Sequence, residues 1–456
     1  MVSFYKPANK TARAKKTTSA PKTVQKPIEL TIDSVDAHGK GIAKGHNPFV
    51  FVEGALPGEE VVAIVSDKKK HVWQARATKV ERAHEQRRQP FCQHVNTCGG
   101  CQLQHVSQTY GIAMRQESLD NDWRRLFKFD ALPWQPAITD KGLGYRRKAR
   151  LAIDARDIDN IKLGYKSAQT NKVTAIAECQ VLEPRLQQLV PRLQGLLSEL
   201  DGVQKLGHIS LFAGDEVTQC TFRAVKPLKN SDNKTLAEFG QRYNTNVVVE
   251  THQGNFEFIH LEAMLDCETI DGLKLYPKPN HFVQVNGVVN TKMIQQAMSW
   301  LNPVPSDRVC DLFCGLGNFS LSIAKTGASV IAAEGVDSMV QDAKSNALKQ
   351  GIEGIDWRHL DLNQQDAVAQ CFESGIDKVL LDPSREGALT VCEALAEQPV
   401  EKVLYVSCNP TTFARDAKVL VEAGYGIDKV GLIEMFPFTR HLEVMALFSY
   451  SSASGM

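Results

Sequence analysis

The sequence predicts an α/β protein: a doubly wound, Rossmann-like domain at the C-terminal end, a small OB-like β-barrel at the N-terminal end, and a mixed α+β region between them. Three observations carry this. From Leu273 onward, apolar strand-like runs alternate with helical stretches, which is the pattern of a parallel doubly wound sheet. From Ile28 to about Arg82, short alternating runs are separated by glycine-rich turns, as in a small barrel. At 456 residues the chain has room for two or three domains.

Taken in order, residues 1–26 hold seven basic and no acidic residues among Ala, Thr, Ser and Pro, which reads as a disordered basic tail. Residues 27–83 contain the barrel strands "IELTIDSV", "PFVFVEGA", "EEVVAIVSD" and "VWQARATKVE". Residues 84–270 form the central region: a cysteine-bearing segment, a helical stretch over 107–127, the basic run "LGYRRKARLAID", then mixed strands and helices. Residues 271–456 are the doubly wound domain.

Charge is uneven along the chain. The net is only +1, yet residues 1–150 carry 26 Lys/Arg against 14 Asp/Glu, a net of +12 that leaves −11 for the remainder. Such an excess marks a polyanion-binding end, with Arg146, Arg147, Lys148 and Arg150 as candidate contacts to a nucleic-acid backbone. The N-terminus lacks the apolar core of a secretory signal, and no uninterrupted apolar run approaches a membrane span. Eleven cysteines in a chain of this length do not form a disulfide scaffold, so a cytoplasmic protein with reduced thiols is expected.

The motif "DRVCDLFCGLGNFSLSIAK" is a strand, a glycine turn and a helix. Gly315 and Gly317 let the backbone turn tightly beside a helix N-terminus. Three further strand regions end in Glu334, Asp361 and Asp382, and with Asp311 they bring acids to one sheet edge. Glu334 sits about 20 residues past the turn, where an acid holds ribose hydroxyls. Asp311 and Asp361 are also residues that cap turns. The set favours a nucleoside-bearing cofactor, and glycine spacing alone does not choose between a nicotinamide and a methyl donor.

"EKVLYVSCNPTTFARD" places Cys408 where an apolar strand ends against Asn409-Pro410, outside the run that would reward packing. Given a pyrimidine as methyl acceptor, a thiolate there adds to C6, which makes C5 nucleophilic toward a methyl donor. A base must then remove the C5 proton before the thiol leaves. Glu443, an acid inside an apolar strand, is the candidate base. His441 is its rival, since strand alternation would place both on one face.

"LFCGLGNFSL", "LLDPSREG", "VSCNPTTFARD" and "HLEVMALF" resemble the motifs of the RNA (uracil-5-)-methyltransferase family over residues 28 to 450. The resemblance implies a Rossmann-like methyltransferase domain that uses S-adenosyl-L-methionine, with Cys408 as nucleophile and Glu443 as base. It implies Gln284, Phe313, Asn318, Glu334, Asp361 and Asp382 as donor contacts. The N-terminal turns "DAHGKGIAK" and "EGALPGE" resemble a TRAM domain, an RNA-holding barrel. Cys92, Cys98 and Cys101, spaced C-x5-C-x2-C, with Cys179 as a fourth thiol, suit zinc or a [4Fe–4S] cluster equally; His94 and His105 lie nearby. The family pattern implies [4Fe–4S], in a structural or RNA-contacting role. Cys220, Cys267, Cys310, Cys371 and Cys392 read as core thiols, and Cys314 has no base in view.

Within the family, the barrel together with the four cysteines resembles the branch that methylates uridine 1939 of 23S ribosomal RNA. The implied partner is that RNA, presenting an unpaired uridine, with no membrane and no obligate protein partner. A dual-site 23S ribosomal RNA enzyme and a tRNA enzyme are the neighbouring alternatives. A non-catalytic iron–sulfur RNA-binding protein is the alternative of another class. Amino-group methylation of a purine would want a stacking aromatic after Asp382-Pro383, where this chain has Ser384.

Overall fold

The computed structural model describes residues 26–450 apart from 169, 171, 253, 373 and 374. The expected basic tail, apart from Lys26, lies outside the described residues. The chain divides into two compact units, one through Arg87 and one from Arg88 onward.

In the first unit, alternation builds a barrel. Its strands are β1 (Ile28–Thr31), β2 (Ser34–Val35), β3 (Gly41–Ala43), β4 (Phe49–Glu53), β5 (Glu60–Lys68) and β6 (Val72–Arg82). They pair in the order β1-β5-β6-β4-β3-β2. The segment 28–35 stands at both ends of that order, since β1 pairs with β5 and β2 with β3. Between them, the Ile32 N–H donates to the Glu59 carbonyl at 3.0 Å and the Asp33 N–H to the Ile42 carbonyl at 2.9 Å. The sheet therefore closes and leaves no open edge there. Val50, Val52, Val61, Ala63 and Val65 point inward, two residues apart along their strands, and form the core. Glu59 is buried, yet Arg87 grips both of its oxygens at 2.5 Å and holds its carboxyl below the usual range.

The second unit contains two large sheets. The central one, among the described residues, comprises β7 (Lys148–Asp154), β8 (Lys162–Lys166), β9 (Val173–Ala175), β10 (Leu206–Ala213), β11 (Thr218–Ala224), β12 (Thr245–His252) and β13 (Asn255–His260). Its order is β13-β12-β11-β10-β7-β8-β9, antiparallel except where β11 meets β12. Helix α1 (Gln108–Phe127) precedes it. Helices α2 (Pro184–Glu199) and α3 (Asn230–Tyr243) pack on it; α2 buries Leu186, Leu189, Val190, Leu193, Leu196 and Leu197, an apolar stripe of helical period.

A hairpin, β14 (Cys267–Ile270) and β15 (Leu273–Leu275), leads into the last sheet. That sheet holds β16 (Arg308–Leu312), β17 (Ser329–Glu334), β18 (Ile355–His359), β19 (Lys378–Leu381), β20 (Lys402–Ser407), β21 (Tyr425–Ile433) and β22 (Glu443–Tyr450). The helices around it are α4 (Gly287–Leu301), α5 (Ser320–Lys325), α6 (Asp337–Lys349), α7 (Gln365–Phe372), α8 (Leu389–Glu397) and α9 (Pro410–Glu422). The strand order is β18-β17-β16-β19-β20-β22-β21. The first five strands in that order are parallel, and β22 runs antiparallel to both β20 and β21. Residues Lys378–Leu381 and Val403–Ser407 are buried throughout, as expected of parallel strands covered on both faces. The order reverses between β16 and β19, which opens a crevice at the strands' carboxyl ends.

Candidate active site

The crevice is built from the strand ends. Phe313, just past β16, has φ +65, and Gly315 and Gly317 follow at +57 and +89. A Cβ on Gly317 would come within 2.9 Å of the Trp357 ring, so this turn tolerates no side chain there. Glu334, at the end of β17, accepts the Gly315 N–H at 3.2 Å and the Val336 N–H at 3.1 Å. The acid thus fixes the glycine turn from the neighbouring strand. Burial nonetheless pushes its carboxyl above the usual range.

Asp311 is fully buried in β16; Ser320 donates to one oxygen, while Oδ1 has no hydrogen-bond partner. Burial, and then the Glu334 charge, push its carboxyl to about 7. Asp382, just past β19, is also pushed to about 7, by burial and by Asp311. Asn318 and Asn290 pair through their side-chain amides at 3.0 Å. Gln284 is buried nearby on the segment that enters α4, whose Asn286 caps the helix by accepting the Val289 N–H. Asp361 differs from the others. It is exposed and forms an Asx turn with Asn363 at 3.1 Å, so part of its role is the local cap weighed for it in the sequence.

Cys408 and Glu443 meet at the same edge. Ser407 of β20 pairs with Val444 of β22, so Cys408 and Glu443 stand one step beyond that pair on neighbouring strands. The Cys408 thiol is pushed up to about 11, by burial first and then by the Glu443 and Asp382 charges, while Arg385 pulls it down. Glu443 is buried, and its carboxyl is pushed up to about 8 by burial and by Asp382, again opposed by Arg385. The Arg385 charge thus acts on both groups. Its guanidinium donates to His441 Nδ1 at 2.9 Å, which makes that nitrogen an acceptor. His441 is exposed and precedes β22, so strand alternation does not govern its side chain, whereas Glu443 is the first residue of the strand and is buried.

Cys92, Cys98, Cys101 and Cys179 line a single cavity with His94, Gln104, Arg146 and Tyr165. The loop carrying the first three is stitched to the end of β8 by the Gly99 N–H to Lys166 carbonyl bond at 3.2 Å and the Ala168 N–H to Thr97 carbonyl bond at 3.0 Å. Burial raises the Cys98, Cys101 and Cys179 thiols, Cys101 to about 11, and their mutual charges add to it. Burial alone would depress Arg146, but Tyr165, Tyr145, Cys101 and Cys179 hold its guanidinium above the ordinary value. Among the described residues, no three His, Cys, Asp or Glu side chains converge to hold a single metal ion.

The sequence model of the tRNA (uracil-5-)-methyltransferase family matches residues 144–450. The chain belongs to that family. Among curated relatives, the 23S rRNA (uracil(1939)-C(5))-methyltransferase RlmD of Alteromonas naphthalenivorans is 47% identical over 92% of this chain and 89% of its own. RlmD of Shewanella baltica (strain OS195) is 37% identical over 92% of this chain and 95% of its own. In three dimensions, the Pyrococcus abyssi tRNA (uracil-54, C5)-methyltransferase, solved with S-adenosyl-L-homocysteine, shares the fold. Its TM-score is 0.71 at 23% identity, covering 92% of this chain and 99% of that one.

Of the basic run proposed to meet nucleic acid in this family member, only Arg150 stays exposed, beside His208 Nδ1 at 3.0 Å. Arg146 turns into the cysteine cavity, Arg147 donates to the Gln284 carbonyl at 2.8 Å, and Lys148 donates to the His281 carbonyl. The segment 281–286 offers its carbonyls to Arg147 and Lys148 inside the protein, and the Arg147 N–H also donates to the Val285 carbonyl at 2.9 Å. Arg385 was missed as a site residue although it lies in the quoted motif "LLDPSREG"; only the pairing of β19 with β20, and the Asn409 side chain that donates to its carbonyl, bring it to the Cys408 strand end. Among the described residues, no helix is long and apolar enough to cross a membrane.

Proposed function

We propose that this protein transfers a methyl group from S-adenosyl-L-methionine to C5 of uridine 1939 in 23S ribosomal RNA. The observation that carries the reading is the placement of Cys408 and Glu443 one step beyond the Ser407–Val444 pair, at the edge where the acid-lined crevice opens. The RlmD names of relatives at 37% and 47% identity support the choice of RNA. Gln284, Phe313, Asn318, Glu334, Asp361 and Asp382 are the proposed donor contacts. The unpartnered Asp311 Oδ1 and the raised Asp382 carboxyl suit a ligand bearing cationic groups. When bound, the sulfonium donor supplies an electrophilic methyl group.

Cys408 as thiolate adds to C6 of the uracil, placing an electron pair on C5 for the methyl group. Glu443 then takes the C5 proton, the C5–C6 double bond re-forms, and the C6–Sγ bond breaks to release Cys408. Arg385, which opposes the rise of both groups, favours their charged forms. We assign Cys92, Cys98, Cys101 and Cys179 to a [4Fe–4S] cluster. Four thiols lining one cavity are the donor set such a cluster takes, and the family resemblance decides it over zinc. The cluster would supply iron–thiolate bonds that tie the loop of residues 92–101 to Cys179.

Cys408→Ala is expected to lower methylation by about a thousandfold or more while donor affinity stays unchanged. Wild-type protein is expected to form a covalent adduct with RNA carrying 5-fluorouridine at the target. Absence of that adduct would remove the mechanism. Mapping 5-methyluridine in 23S ribosomal RNA and tRNA from a deletion strain tests the substrate.

A further inference from the structure

The link between β21 and β22, residues 434–442, delivers Glu443, and it is held from two sides. One side is the cysteine loop. The Phe438 carbonyl accepts the N–H groups of both Gln102 and Leu103 at 2.9 Å. The Gln102 side chain accepts the Arg440 N–H at 3.2 Å and donates to the Gly99 carbonyl at 2.7 Å. The Phe438 ring meets Phe91 edge-on at 5.1 Å. Phe91 and Gln102 are the residues immediately flanking Cys92 and Cys101. Both ends of the loop thus grip one residue, five positions before Glu443.

The other side is α1. Buried Arg115 donates to the Thr439 and His441 carbonyls at 3.5 and 3.4 Å and to Glu434 at 3.3 Å. Gln108 donates to the other Glu434 oxygen at 2.6 Å. Between these anchors Phe438 has φ +63, a conformation that a bulky side chain keeps only where its surroundings over-determine it. Gly142 has no Cβ that would meet the Phe438 ring at 2.9 Å, so the ring's seat is cleared by sequence.

We infer that Phe438 is a positioning residue through which the Cys92–Cys101 loop sets the placement of Glu443 for proton removal. The inference rests on the reading of Glu443 as the base. In the step concerned, the C5 proton passes to the Glu443 carboxylate, its bonding pair becomes the C5–C6 double bond, and the C6–Sγ pair returns to Cys408. Attack by Cys408 and methyl transfer precede that proton removal. A loosened strap therefore slows release of the RNA more than it slows capture.

The test uses the full chain and a 23S ribosomal RNA fragment in two forms, one with tritium at C5 of the target uridine and one with 5-fluorouridine there. Phe438→Gly keeps a backbone that adopts the turn and removes the ring contact. Gln102→Ala removes the side-chain bonds to Arg440 and Gly99 and serves if the first variant fails to fold. In each, tritium release is expected to fall about tenfold, the scale of a small misplacement of a catalytic group. A denaturant-stable adduct with the tritiated RNA should accumulate. The 5-fluorouridine adduct should form within about twofold of the wild-type rate, and S-adenosyl-L-homocysteine should bind unchanged. Equal slowing of adduct formation and tritium release, or no change in either, would overturn the inference. A wild-type protein that forms no 5-fluorouridine adduct would overturn the reading of the site, and this inference with it.

Discussion

Glu443 stands where an apolar strand begins, and its burial is costly in a definite direction. The folded carboxyl lies near 8 and an unperturbed one near 4.5. Between those values the unfolded chain has released a proton that the folded chain retains, so this group's contribution to stability falls as pH rises and is level above about 8. Glu443→Gln is therefore expected to raise stability little at pH 4.5 and by a few kcal/mol at pH 8, at about 1.4 kcal/mol per pH unit as an upper bound. Urea denaturation at the two pH values checks this; an equal gain at both would refute the burial argument. The ionised carboxylate also raises the Cys408 thiol, so above pH 8 the same variant should be alkylated faster at Cys408 by iodoacetamide although it no longer turns over. The positions of Cys408, just past the end of an apolar strand, and of Glu443, an acid in an apolar strand, were legible in the sequence, and strand pairing puts the two side by side. The relation of Glu443 to His441 was not, because it depends on where β22 begins, and pairing with β20 and β21 decides that.

Helix α9 shows what a motif does beyond its cysteine. Asn409 caps it, accepting the Thr411 N–H, and donates through Nδ2 to the Arg385 carbonyl at 2.9 Å. Thr412 donates to the same carbonyl at 3.2 Å, and Arg415 donates to the Glu386 carbonyl at 2.8 Å. Buried Asp416 accepts the Ala388 N–H and the Tyr405 hydroxyl, both at 2.7 Å. The string "NPTTFARD" is thus a clamp on the loop that presents Arg385, and its residues are spaced by helix geometry. Asp416→Ala leaves a buried hydroxyl and an amide under-satisfied and should cost about 2–4 kcal/mol, read as a lower urea midpoint. Because the clamp acts on Arg385, adduct formation should slow as well, while S-adenosyl-L-homocysteine should bind as in the wild type. The end of β20 was legible from Asn409-Pro410; the helix cap and the clamp were not, since most of the clamp's partners lie more than twenty residues away in sequence.

At the scale of the whole chain, the charge asymmetry was legible but its distribution was not. The excess in residues 1–150 includes Arg115, bound to Glu434, Arg87, bound to Glu59, and the inward-turned Arg146, Arg147 and Lys148. These cations neutralise carboxylates, carbonyls and thiols of the protein, so composition overstates what remains for RNA. Exposed cations remain in the barrel unit at Lys44, Lys68, Lys69, Lys70 and Lys79, and Lys68 lies 4.2 Å over the Trp73 ring. We propose that these exposed lysines hold the RNA, chiefly through counterion release. RNA affinity should therefore fall steeply with salt, whereas donor affinity, set inside the crevice, should move little. Replacing Lys68, Lys69 and Lys70 together by alanine should weaken RNA binding and lower the slope of log affinity against log salt by about two, at roughly 0.7 per phosphate contact on a single strand. The rate of adduct formation at saturating RNA should stay at the wild-type value, because none of the three lies in the second unit, where the chemistry is built. Filter binding across a salt series with single-turnover kinetics separates these outcomes, and an unchanged slope would place the phosphate contacts elsewhere.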